Sequence, residues 1–135
     1  MLWPLAFSQV YNLFAAGDVA GIAAHYADDA KVSWIGGGIG EPGKKEFVGF
    51  NAFAEAVLAE IPNKWPSLKV VPTEWLIDAG NKCFVRMTAT TDNGMATEFG
   101  HYFEIDLDSK VVEWQGFDDG ASFSKFAIAT PPPAA

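Results

Sequence analysis

Trp3, Phe7, Val10, Tyr11 and Phe14 recur at spacings of three and four residues, the period of one helix face, and Pro4 suits a first helical turn. The pattern predicts an amphipathic helix that starts near Pro4 and stops at Gly17. Asp18 then caps a second helix over 19–26, with Val19, Ile22, Ala23 and Tyr26 on one side. Asp28-Asp29 ends it and opens a strand over 30–34. Residues 35–50 hold many glycines and read as a long loop. Asn51 caps a third helix over 52–60, closed by Ile61-Pro62.

Beyond residue 66 the period changes to two. Strands are expected over 68–77, 83–90, 95–105 and 110–118, with Pro72 arguing for an edge or a bulge in the first of them. Asp92-Asn93-Gly94 is a hairpin signal, and 106–109 is a turn. A short helix follows Asp119, and the proline-rich end of the chain reads as a disordered tail. Helices first and a meander of strands afterwards mean an α+β fold. The expected architecture is a curved antiparallel or mixed sheet wrapped around three N-terminal helices. It forms one domain over 1–127, with 128–135 as the tail.

Alternation assigns faces to that sheet. Cys83, Val85, Met87 and Ala89 share an apolar face, taken as inward. His101, Phe103 and Ile105 share a face on the next strand, and Val112, Trp114, Gly116 and Asp118 on the last. The inward surface is then apolar except at His101 and Asp118. Those two are the candidate catalytic pair. A neutral imidazole at His101 could donate to a developing enolate or act as a base near pH 7. A carboxylate at Asp118, its pKa raised by an apolar cavity, could move the proton. Tyr11, Trp34, Met87, Phe103 and Trp114 are the expected lining of a ligand cavity. Phe84, Tyr102 and Phe117 face outward.

The stretch from Tyr11 to Val32 closely resembles the opening of nuclear transport factor 2-like proteins. It is nearest to their ketosteroid isomerase and SnoaL-like polyketide cyclase branch. The marks are Ala16-Gly17-Asp18 and Tyr26-Ala27-Asp28-Asp29-Ala30. Near the other end Lys110-Val111-Val112 and Phe117-Asp118 agree as well. The resemblance covers 5–127 and implies a cone-shaped, cystatin-like fold. It does not name a function, because the superfamily holds isomerases, cyclases, dehydratases, epoxide hydrolases and non-catalytic binders. The isomerases' helix-borne tyrosine falls on Val10, their catalytic aspartate on Trp34, and their second oxyanion donor on His101. The epoxide hydrolases' Arg, Asp and last-strand Asp fall on Met87, Ala89 and Gly116. Both standard residue sets are therefore absent.

Composition narrows the partners. The chain has 135 residues, a net charge of -8 and, as its only adjacent basic pair, Lys44-Lys45, which argues against nucleic acid and anionic membrane. Five Trp and eleven Phe are a heavy aromatic load for one small domain. Cys83 is the only cysteine, so no intrachain disulfide forms. His25 and His101, the only histidines, lie on different elements, and neither metal nor cofactor is expected. Gly38-Ile39-Gly40-Glu41-Pro42-Gly43 has the dinucleotide spacing but opens no helix, so it reads as a loop. No basic residue precedes Lys31, so the apolar N-terminus is not read as a signal peptide, and a cytoplasmic location is expected. Two readings stay open. One is an acid-base isomerase, cyclase or dehydratase acting on a small hydrophobic carbonyl compound. The other is a non-catalytic ligand-binding or assembly domain. Outward aromatics suggest a homodimer through the outer sheet face in either case.

Overall fold

A computed structural model describes residues 3–36, 43–78, 81–118 and 120–126. Helices α1 (Trp3–Ala15) and α2 (Val19–Ala23) lead into strands β1 (Tyr26–Gly36) and β2 (Gly43–Val48). Helix α3 (Phe50–Ala56), a 3-10 turn (Leu58–Glu60) and α4 (Ile61–Lys64) follow. Strands β3 (Lys69–Asp78), β4 (Lys82–Thr90), β5 (Ala96–Ile105) and β6 (Val111–Phe117) come next, and α5 (Gly120–Phe126) closes the described chain. The strands form one mixed sheet in the order β2-β1-β6-β5-β4-β3. Only the central β1–β6 pairing is parallel. The fold is the expected α+β arrangement, with the N-terminal helices on the inner face of the sheet.

Several local expectations are corrected. The loop expected over 35–50 contains β2, which pairs antiparallel with β1 from Lys31↔Val48 to Gly36↔Gly43. Its Lys44-Lys45-Glu46 run hides the alternation, as charge often does on a sheet edge. Helix α2 is shorter than expected, because the chain joins the sheet early. The His25 carbonyl accepts from Val111 N–H at 2.8 Å, and Tyr26 is already the first residue of β1. Asp18 caps α2 as expected, accepting from Gly21 N–H at 2.9 Å. The third helix starts at Phe50 rather than after Asn51, and Pro62 enters α4 at its first turn rather than ending the helical run. On β6 a register shift beside Ile105↔Val111 turns Val111 fully inward and leaves Val112 half-buried, so Val112 is not the inward residue. The tail 128–135 and residues 37–42 of the glycine-rich segment lie outside the described residues.

Face assignment on the central strands agrees with the alternation. Cys83, Val85, Met87 and Ala89 are buried, as are Phe99, His101, Phe103 and Ile105. The helices cover this face with Val10, Tyr11, Ile22, Phe50, Phe53 and Ile61. Trp65 lies deep in the core, and its indole N–H donates to the Phe123 carbonyl at 3.1 Å, fastening α5 across the end of the cone.

Candidate functional site

His101 stands in a transverse row of register partners. Trp75, Val85, His101, Gly116 and Trp34 face one another across β3, β4, β5, β6 and β1. The missing side chain at Gly116 matters here. A Cβ at that position would lie 2.4 Å from Cε3 of Trp34 and 2.7 Å from Cη2 of Trp114. Glycine thus lets two indoles fold over the centre of the sheet, 5.5 Å apart between centroids. His101 is enclosed by aromatic rings, with centroid separations of 4.6 Å to Trp114, 5.0 Å to Phe99, 5.8 Å to Tyr11 and 5.9 Å to Trp34.

The Tyr11 hydroxyl meets His101 Nδ1 at 3.0 Å. Nε2 of the same ring is buried and has no hydrogen-bond partner among the described residues. Burial pushes the imidazole down to about 3 and holds the Tyr11 phenol well above its usual range, with Tyr26 and Cys83 adding to the latter effect. Both groups are therefore neutral at pH 7. If the hydroxyl donates to Nδ1, the ring proton sits on Nε2 and one donor is left unmet. If Nδ1 donates instead, the hydroxyl proton and the Nε2 lone pair are both unmet. The first arrangement wastes less, so it is the favoured one. The site is then a hydrogen-bond donor, and with a conjugate acid near 3 it is a poor base at pH 7.

These groups border a cavity of about 80 Å³. Tyr11, Trp34, His101, Phe103 and Trp114 line it as the sequence suggests, joined by Phe53, Phe99 and Phe123. Phe99 was readable, since it shares the alternation of His101 and Phe103. Phe123 was not, because its place depends on how α5 returns. Met87 is fully buried on the same sheet face but does not line the cavity. Nor does Asp118, whose carboxylate accepts from the Trp34 indole N–H at 2.5 Å. His101 and Asp118 are thus linked through Trp34 and do not converge on one space. On α1 both Val10 and Tyr11 border the cavity, and the hydroxyl that reaches β5 is that of Tyr11.

The SnoaL-like domain model matches residues 7–114. Among curated proteins the sequence finds no significant match. Solved structures are similar in fold. A nuclear transport factor 2-like protein of unknown function from Burkholderia pseudomallei is 23% identical, with 89% of this chain and 92% of that one covered at a TM-score of 0.69. TerC, crystallised with polyporic acid, is 23% identical over 87% and 91% of the two chains, at a TM-score of 0.67. A Mycobacterium tuberculosis protein in complex with estradiol-17beta-hemisuccinate is 18% identical over 83% and 90%, at a TM-score of 0.63. At these identities the structures speak for the fold alone. With the family model covering most of its length, the chain belongs to the SnoaL-like domain family.

Proposed function

We propose that the protein binds a flat, apolar small molecule in the cone and meets an acceptor oxygen of that molecule with His101. The observation that carries this is the unpartnered Nε2, buried in an aromatic enclosure on a side chain that borders the cavity. An orphaned buried donor costs stability unless something uses it. Tyr11 orients the ring and fixes its tautomer. Trp34, Phe103 and Trp114 supply faces for stacking. The estradiol derivative held by the mycobacterial relative and the polyporic acid of TerC are flat, oxygen-bearing molecules of this kind. The cavity is about half the roughly 150 Å³ that takes up benzene, so a larger ligand must widen it.

Acid-base catalysis, whether isomerisation, cyclisation or dehydration, is the second reading. His101 would donate to an enolate oxygen and Asp118 would move the proton. It ranks second because the Asp118 carboxylate is turned to Trp34. In either case the outer sheet face, with Phe84 37% exposed beside Phe117, is the surface for a homodimer.

Titration with 4-ethylacetophenone, read by tryptophan fluorescence and by calorimetry, tests the first reading. Saturable binding that falls about fivefold or more in His101→Phe supports it, a charge-free hydrogen bond in a dry site being worth about 1–1.5 kcal/mol. Binding that is absent, or equal in that variant, overturns it. Exchange of the ketone's α-protons in heavy water, lost in Asp118→Asn, would promote catalysis to first place.

A further inference from the structure

The inner cavity does not end at a solid wall. A groove of about 460 Å³ lies between α1–α2 on one side and α3, the 3-10 turn and α4 on the other. Phe14, Ile22, Leu58, Ile61 and Leu68 border both spaces. These five form a septum one side chain thick. Tyr11 and His101 touch only the inner space, while Ala15, Val19, Glu55 and Ala59 touch only the outer one. A polar end and an apolar groove thus lie on the two sides of an apolar partition.

The partition is built to yield on one side. Phe14, Leu58 and Leu68 are only half-buried. Leu58 and Ile61 are carried by short pieces of three and four residues that follow the seven-residue α3, rather than by one continuous helix. Val57, with φ -120 and ψ -57, separates α3 from the 3-10 turn, and Trp65, with φ -134 and ψ 72, ends α4. Short elements joined at non-helical residues are where hinges absorb motion. The groove volume lies within the usual range of about 300–1,000 Å³ for small-molecule sites, whereas the inner cavity lies below it.

We infer that the two spaces are one bipartite site, which takes an elongated molecule with an acceptor oxygen at one end and an unbranched apolar chain at the other. This rests on the binding role of His101 argued above and extends it to the shape of the ligand. The oxygen meets Nε2 in the inner chamber. The chain passes the septum between Phe14 and Leu58 and lies in the groove. Glu55 on the groove lining, in a chain of net charge -8, disfavours a carboxylate at the outer end. The outer end is therefore not anionic.

Calorimetric titration with 4-ethylacetophenone and 4-octylacetophenone reads the length dependence directly. The octyl compound is expected to bind at least about tenfold more tightly, since each added methylene is worth up to about fourfold when buried. Ala59→Trp fills the groove at an exposed position, and Val19→Glu places a charge there at another. Each is expected to abolish the octyl advantage and to leave the ethyl compound's affinity unchanged. Equal affinity for both ketones in the wild type, or an octyl advantage that survives both variants, overturns the bipartite site and leaves the His101 reading standing. Failure of both ketones to bind the wild type overturns both.

Discussion

Tyr11 and His101 are ninety positions apart in sequence and share a buried hydrogen bond of 3.0 Å. Removing one partner leaves the other's polar atom stranded among aromatic rings. Tyr11→Phe is therefore expected to cost about 1–3 kcal/mol, the penalty of an unmet buried group. Replacing both partners with apolar rings removes the stranded atoms together. Tyr11→Phe/His101→Phe should then be more stable than Tyr11→Phe alone. Urea unfolding of the four proteins in the cycle measures this, and additive losses would contradict it.

The same burial gives stability a pH dependence at both ends. His101 sits at about 3 in the fold and at 6.5 when exposed. At pH 7 both states are neutral. Between these values the unfolded chain takes up a proton that the native ring refuses. Stability is thus complete above 6.5 and is lost on acidification toward 3, by up to about 1.4 kcal/mol per pH unit. Tyr11 and Tyr26 act in reverse. Burial raises both phenols, so the unfolded chain loses protons first and stability falls as pH rises beyond 10. Urea midpoints at pH 7, 5 and 4 are expected to fall less steeply in His101→Phe. A slope equal to that of the wild type would refute the assignment.

Two β-sheet glycines with similar steric crowding should respond differently to alanine. At Gly116 the new Cβ would press on Trp34 and Trp114, both buried and packed against His101. At Gly100 it would come within 2.3 Å of Phe84 Cζ, on a ring 37% exposed and free to turn outward. Overpacking a rigid site costs about 1–3 kcal/mol. Gly116→Ala should pay in that range, shift tryptophan emission and weaken ketone binding. Gly100→Ala should lose much less and keep the emission unchanged. Thermal melts with fluorescence detection decide, and equal losses would show that the two indoles are not held as described.

Where side chains report a face directly, the sequence was enough. Val85, Met87, His101 and Phe103 lie inward because strand alternation leaves no other choice once one face is covered. It failed where tertiary pairing overrides the local pattern. Tyr26 looks like the last residue of a helix, but the pairing of β1 with β6 claims it. The edge position of β2 lets Lys44, Lys45 and Glu46 occupy a strand whose composition reads as loop. Val111 and Val112 exchange roles because of a bulge that no spacing announces.

At the site the limit was angular. Tyr11 and His101 were each recognisable as candidates, yet their contact depends on how α1 lies across the sheet. Asp118 was placed inward by the alternation of β6, but it follows the last strand residue and accepts from Trp34 instead. The groove beside the septum was invisible, since it depends on the break at Val57 between α3 and the 3-10 turn and on the early end of α4 at Trp65.

The outer sheet face carries its own prediction. Leu76, Phe84 and Tyr102 are register partners across β3, β4 and β5, and Phe117 packs beside Phe84 at 6.4 Å between ring centroids. Leu76 is 57% exposed and Phe84 37% exposed, on an apolar strip of a sheet face that none of the described helices covers. If two copies pair through this strip, a carboxylate at its centre is brought against its own symmetry mate and against apolar rings. Phe84→Glu should therefore convert a dimer into a monomer in sedimentation at about 50 μM, a dissociation of at least about a hundredfold from two desolvated charges. The cavity lies on the opposite face of the sheet, so ketone affinity is expected to stay within twofold of the wild type. A wild type that sediments as a monomer, or a variant that remains a dimer, would remove this face from the assembly.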